Sequence, residues 1–198
     1  LKWYQVLARY FDVPLFVLDT PVCHTGYEKE TDTYVRQQIR EYVTFLESVC
    51  GRSFDYDRMA EVGTLSVKAQ KLWQKVLDTT VNKPAPMTCF DAFFHLAMIV
   101  TLRGTQTAVD YYELLLEEMN DRIRKGISKV EPERYRLIWD NLPVWYKMRW
   151  FSDKFGAHNA GFVADTYTSG WCGTLPYLDE NDFLGSMAES YTRIFLNT

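Results

Sequence analysis

Two short apolar runs in this chain each end in a cluster of polar side chains. Tyr135 to Trp139 runs into Asp140-Asn141, and Gly161 to Ala164 runs into Asp165-Thr166-Tyr167-Thr168-Ser169, with Trp171 just beyond. Carboxylates, an amide and hydroxyls at that density can hold a ligand by hydrogen bonds. The rings of Tyr146, Tyr167 and Trp171 can stack on a planar group. Asp19 follows the apolar run Leu15 to Leu18 in the same way and joins the candidates. The same residue types also cap helices and make turns, so each position carries two readings, ligand contact or local backbone chemistry.

The thiols and imidazoles are less suggestive. Cysteines stand at 23, 50, 89 and 172 and histidines at 24, 95 and 158. No C-x-x-C pair occurs, and the gaps fit neither a zinc finger nor a ferredoxin run. Thiols spaced in this way read as free and buried, and His95, inside an apolar helical run, reads as a core residue. No G-x-G-x-x-G follows a strand, and there is no Walker loop, G-x-S-x-G elbow or H-E-x-x-H. Phosphate-loop nucleotide binding and serine-hydrolase chemistry are unsupported.

The elements must bring the polar clusters together. Strand, helix and strand between Tyr135 and Ala164, with Pro143 opening the helix and Gly156 closing it, form a βαβ unit, and such units build parallel sheets. The C-terminal strand ends of an open parallel sheet line the crevice where ligands sit. This assigns Asp140, Asn141, Thr166, Tyr167, Thr168 and Ser169 to one mouth. Upstream, Leu1 to Phe11 reads as an amphipathic helix with Trp3, Val6, Leu7 and Tyr10 on one face. Leu15 to Leu18 reads as a buried parallel strand. A helix starting near Thr31 or Asp32 buries Val35, Ile39 and Val43 and stops at Gly51, and Asp55 caps the next.

Lys83-Pro84-Ala85-Pro86 is a stiff connector. Thr88 and Asp91 resemble a capping box opening one helix that is apolar nearly all round, as expected of a helix buried centrally or covered by a partner. Gly104 ends it, Thr105 caps another that stops at Gly126, and a final helix spans Phe183 to Leu196. The expected fold class is α/β, with Rossmann-like parallel-sheet units and a large helical insertion between them. Residues 1–30 end a first α/β domain, 31–130 form the helical region and 131–198 start a second α/β domain.

Composition bounds the function classes. The chain has 198 residues, 47% hydrophobic and 16% aromatic, enough for a packed core. Its net charge of −4, from 26 acidic and 22 basic residues without a basic block, argues against nucleic acid. The apolar runs are too short and broken for a membrane span, and no secretory leader opens the chain. A cytoplasmic protein is the expectation.

Three stretches carry a resemblance: VPLFVLDTP (Val13 to Pro21), the PAP-helix region from Lys83 to Met119, and IWDNLPVWYKMRWFSDKFGAHNAGFVADTYTSGW (Ile138 to Trp171). In this order they resemble the benzoyl-CoA reductase and 2-hydroxyacyl-CoA dehydratase family, most closely its benzoyl-CoA reductase iron–sulfur subunits. The resemblance implies a pair of homologous subunits built from α/β domains, each holding a [4Fe–4S] cluster through cysteines. It implies an ATP-driven activator that supplies low-potential electrons. The implied reaction is reduction of an aromatic CoA thioester. The alternatives are water elimination from a 2-hydroxyacyl-CoA, or a non-catalytic interaction module whose apolar helix Phe90 to Leu102 docks a partner. The implied substrate-binding set is Asp19, Asp140, Asn141, Tyr146, Thr166, Tyr167, Thr168, Ser169 and Trp171. Thr166 to Ser169 would donate hydrogen bonds, and Tyr167 or Trp171 would pack on the acyl group. Cluster ligands are expected before Leu1 and beyond Thr198 rather than among Cys23, Cys50, Cys89 and Cys172, and the segment alone is expected to be inactive.

Overall fold

The computed structural model describes residues 2–21 and 28–193; Cys23 and His24 therefore lie outside the described residues. The chain groups into two compact units, Leu1–Ala60 with Tyr177–Thr198, and Glu61–Pro176. The α-helices in order are α1 (Lys2–Phe11), α2 (Lys29–Cys50), α3 (Tyr56–Asp78), α4 (Cys89–His95), α5 (Ala97–Thr101), α6 (Gln106–Lys125), α7 (Met148–Gly156), α8 (Thr166–Ser169) and α9 (Phe183–Arg193). Two strands, β1 (Tyr135–Trp139) and β2 (Ala160–Asp165), flank α7. The result is mostly helical with a small parallel sheet, an α/β fold with a helical insertion.

In the first unit, α2 repeats apolar residues at four-residue spacing, and Val35, Ile39 and Val43 are buried. Val35 and Ile39 pack against Ala188 of α9, with Leu18 and Leu184 beside them. Arg36 donates from Nε to Asp32 at 2.6 Å and from Nη1 to Asp182 at 3.5 Å, tying α2 to the turn before α9. Gly51, at φ 63°, closes α2 by donating its N–H to Glu47 O. The strand expected over Leu15 to Leu18 is not there. The segment has no regular secondary structure and no strand partner among the described residues: Phe16 lies against the rings of Tyr42 and Phe45, and Leu18 joins the α2–α9 cluster. A continuous apolar run does not specify pairing, and here a helix face covers it only in part, with Leu15 40% exposed. Helix α1 forms as expected, but its apolar face is turned outward, with Trp3 and Tyr10 each 80% exposed.

In the second unit β1 and β2 pair in parallel, Tyr135 opposite Ala160, Leu137 opposite Phe162 and Trp139 opposite Asp165, with a register shift between Leu137 and Ile138. The helix expected to open at Pro143 begins later. Asn141 is left-handed (φ 76°), Leu142 is held out of the helical region by the proline that follows, and the chain turns through a 3-10 turn at Trp145–Lys147 before α7 starts at Met148.

The apolar helix expected from Phe90 to Leu102 is instead two helices, α4 and α5, with a break at Leu96. Thr88 and Asp91 do form the capping box that opens α4, the Thr88 N–H reaching Asp91 Oδ2 at 2.9 Å. The break has an identifiable cause. In a continuous α-helix the Ile99 N–H would donate to His95 O. Here the Tyr112 hydroxyl of α6 sits between them, accepting from Ile99 N at 3.0 Å and donating to His95 O at 3.0 Å. A side chain inserted into the hydrogen-bond ladder kinks a helix. Nor is the segment buried all round: Phe93, Leu96 and Ile99 are in the core while Phe94 and Val100 are exposed. Tyr112→Phe leaves the His95 carbonyl without its donor, while the Ile99 N–H keeps its bond to Leu96 O at 3.1 Å, and is expected to cost about 1 kcal/mol of stability, read as a lower midpoint in urea unfolding at an unchanged slope.

Candidate functional site

Three of the expected polar residues are brought together by direct bonds. Thr166, at the start of α8, donates from Oγ1 to Asp140 Oδ1 at 2.9 Å and accepts from the Asn141 N–H at 3.0 Å. The left-handed Asn141 turns its own side-chain oxygen onto the Leu142 N–H at 2.7 Å. The C-terminal ends of β1 and β2 are therefore linked across the parallel pair, and all three residues are exposed. Each has a local partner, but the Asp140 carboxylate keeps acceptor capacity facing solvent.

Thr168 behaves differently. It is fully buried and turned onto Asp165, which ends β2 and caps α8. The Thr168 N–H reaches Asp165 Oδ1 at 2.5 Å and its hydroxyl reaches Oδ2 at 2.6 Å. The Thr168 carbonyl accepts from the Trp73 indole at 3.2 Å, locking α8 to the fully buried Trp73 of α3. Ser169 donates to Asp165 O at 2.7 Å. Thr168 thus has its N–H, hydroxyl and carbonyl engaged within the protein while its side chain contributes to the wall of the cleft beside Asp165. Sequence reasoning passed over Asp165 and Trp73; the Asp-x-x-Thr spacing at a strand end was the available signal for the first, and no local pattern marks the second.

Beside Asp165 lies a cleft of about 230 Å³ between α3, α4 and the end of β2, walled by Asp78, Thr80, Thr88, Cys89, Asp165 and Ser169 among others. The wall is mainly apolar, with polar groups at the β2 end, in keeping with a small-molecule subsite. None of Asp140, Asn141, Thr166, Tyr146, Tyr167 or Trp171 lines it. Tyr167 is half-buried and packs edge-on to Phe93 and Trp145. Tyr146 is 85% exposed, on a shelf with Phe94, Trp145 and Trp150. Trp171 rests on the helical core with the Arg103 guanidinium 5.5 Å above its ring. Asp19 belongs to the first unit, where it accepts from the Tyr34 hydroxyl at 3.1 Å.

The described thiols do not make a cluster site. Burial, with Asp165 and Asp91 adding to it, pushes the Cys89 thiol far above its ordinary pKa. Burial pushes Cys172 up to about 12 against the opposing charge of Arg103. Both are neutral thiols at physiological pH, whereas iron–sulfur ligation needs thiolates. Cys50 is exposed in the first unit. Among the described residues no group of three or more His, Cys, Asp or Glu is placed to hold a metal ion. An iron–sulfur cluster does not fit the described residues. His95 is likewise structural: its Nδ1 lies 2.7 Å from the Tyr111 hydroxyl, and burial lowers its pKa, so the ring is neutral.

Burial raises the Asp165 pKa, with the Thr168 bonds opposing it. The folded state then holds this proton more tightly than the unfolded one. The stabilisation is full below the ordinary aspartate pKa and is lost as pH rises through the raised value. Asp165→Asn abolishes that term. Its melting temperature relative to the parent is expected to improve between pH 4 and pH 7, measured by thermal unfolding of both proteins at each pH.

Residues 1–198 match the family model described as HGD-D, the 2-hydroxyglutaryl-CoA dehydratase D-component. The chain is 30% identical over 200 residues to the lactoyl-CoA dehydratase subunit alpha of Anaerotignum propionicum, covering 100% of this chain and 47% of that protein. It is 32% identical over 204 residues to the (R)-2-hydroxyisocaproyl-CoA dehydratase alpha subunit of Clostridioides difficile, covering 100% and 48%. It is 32% identical over 201 residues to a benzoyl-CoA reductase subunit of Thauera aromatica, covering 96% and 46%. The chain spans about half the length of the curated relatives it matches. The resemblance first carried by the DTP segment, the PAP-helix and the W-D-x-x-P stretch extends over the whole chain, which belongs to the 2-hydroxyglutaryl-CoA dehydratase D-component family.

Proposed function

We propose that this chain is part of an enzyme subunit that acts on a CoA thioester, and that it forms the wall of the site rather than its reactive centre. The observation that carries the reading is the family match over all 198 residues, taken with the bonded Asp140–Thr166–Asn141 rim at the ends of the paired strands. In this reading residues 1–30 and 131–198 belong to two α/β domains of the subunit and 31–130 to the helical region between them. The substrate lies against the rim. Asp140 and Asn141 orient it, Thr166 and Ser169 supply hydroxyls, and Tyr146, Tyr167 and Trp171 offer ring faces to the acyl portion. Thr168 holds the rim in place from below.

Two chemistries fit. The family description and the dehydratase alpha subunits among the relatives support water elimination from a 2-hydroxyacyl-CoA. The similarity to a benzoyl-CoA reductase subunit supports ring reduction of an aromatic thioester. Both belong with a [4Fe–4S] cluster in the full subunit, ligated outside this segment, with a homologous second subunit and with an ATP-dependent activator in the cytoplasm. Among the described residues no helix is long and apolar enough to cross a membrane. The buried thiols described in this segment, Cys89 and Cys172, are neutral and supply no thiolate to the cluster.

Anaerobic purification together with the second subunit, followed by assay with activator and reductant, tests the reading. Consumption of either a 2-hydroxyacyl-CoA or benzoyl-CoA is the expected result and selects the chemistry. A colourless, iron-free preparation inert toward both would reject it. In the active preparation Thr166→Val, which removes one rim hydroxyl, is expected to raise KM by about fivefold, the effect of one lost hydrogen bond of about 1 kcal/mol, while the melting temperature stays within a few degrees.

A further inference from the structure

Five arginines in the described structure are half-buried: Arg36, Arg103, Arg122, Arg136 and Arg193. Four have carboxylate partners, Arg36 with Asp32, Arg122 with Glu118, Arg136 with Glu133 and Arg193 with Glu189. Arg103 is the exception. Among the described residues it makes no hydrogen bond and no ion pair, and its contact is with a ring, the indole of Trp171. A guanidinium has five N–H donors and cannot shed its charge, so partial burial without an acceptor costs free energy that an ordinary surface arginine avoids. The cost is visible in its pKa, which burial lowers.

The arrangement is held in place from both sides. Arg103 sits in the turn between α5 and α6. There Gly104 is left-handed (φ 82°) and packed so closely on α3 that an added Cβ would come within 2.5 Å of Val62 Cγ1. Thr105 donates from Oγ1 to Leu102 O at 2.7 Å across the same turn. Trp171 is pressed onto the helical core, and its neighbour Cys172 is fixed through Sγ to Gln70 O at 3.5 Å. The nearby Cys172 thiol is neutral and supplies no counter-charge. A fork of donors lying over an aromatic face, with its backbone fixed before any ligand arrives, is suited to a planar or tetrahedral oxyanion gripped through two oxygens.

We infer that Arg103, held on Trp171, is an anion-binding residue for the phosphate groups of the thioester's CoA portion. The anion character follows from the unpaired guanidinium; its assignment to CoA rests on the proposed function. Arg103 is a binding residue outside the Asp140–Thr166–Asn141 rim, and one face of Trp171 serves it as a platform.

Calorimetric titration of the purified protein with inorganic pyrophosphate, CoA and pantetheine, which lacks the phosphates, tests this. The parent is compared with Arg103→Met, Arg103→Lys and, as a control, Arg134→Met at an exposed position, with thermal unfolding to confirm that each variant folds. Binding of pyrophosphate and CoA is expected to weaken about tenfold in Arg103→Met, as for one lost charge-assisted contact. Arg103→Lys should fall between it and the parent, Arg134→Met should match the parent, and pantetheine affinity should not depend on residue 103. Equal affinity of the parent and Arg103→Met for pyrophosphate and CoA would overturn the inference, as would failure of the parent to bind either. Arg103-dependent binding of pyrophosphate without any binding of CoA would uphold the anion site and overturn its assignment to CoA.

Discussion

A two-stranded parallel sheet has no stability of its own, and parallel strands survive only where their faces are covered. In the second unit that constraint falls on α4. Phe90 and Phe93 project from it onto the sheet, meeting Trp139 and Phe162 edge to face, with Met148 of α7 closing the cluster. Ala92 on α4 and Leu96 and Ile99 beyond it join the second cluster, formed with Trp73, Val76, Tyr112 and Met119 of α3 and α6. One helix of seven residues is thereby shared between two cores. Its capping box at Thr88 and Asp91 and its break at Leu96 set where those faces point.

The break is what lets so short a segment serve both cores. A straight helix from Phe90 to Leu102 would carry its apolar residues around the whole circumference and could not bury them all. Bending around the Tyr112 hydroxyl turns Leu96 and Ile99 inward, while Phe94 and Val100 remain in solvent. The same logic operates at α8. Asp165 is buried where desolvation works against its charge, and the Thr168 bonds hold it there. Through Trp73 the end of β2 is then fixed to α3, which brings α3, α4 and the strand end together around the cleft.

Much of this was legible in the sequence, and the failures have physical causes. β1 was readable at its observed bounds because aromatic and branched residues end abruptly in Asp-Asn. Thr88, Thr105, Gly51 and Gly126 were readable because capping chemistry is local. The run Leu15 to Leu18 misled because hydrophobicity alone does not specify pairing, and the α4–α5 break was invisible because its cause lies on α6, more than a dozen residues away. The mouth residues were legible as strand-end positions but not in their orientations. Thr168 faces inward because Asp165 and Trp73 claim its polar groups, and the Trp73 contact spans 95 residues.

The distribution of charge and burial separates structural groups from available ones. Cys89, Cys172, His95 and Asp165 are all chemically capable residues, yet each has its polar atom engaged or its reactive form suppressed by burial. Availability requires the opposite combination: a charged or polar group held in position whose bonding capacity is not consumed locally. Asp140 meets this in part, since its accepted bond from Thr166 leaves lone pairs toward solvent. Arg103 meets it more fully, with a fixed backbone, an aromatic platform and five donors without a described acceptor. These two groups carry opposite charge. A ligand engaging both would have to present an oxyanion to Arg103 and a donor to Asp140, a polarity that a phosphate-bearing thioester with a hydroxyl on its acyl group provides and a non-hydroxylated aromatic acyl group provides only through the amides or hydroxyls of its CoA portion.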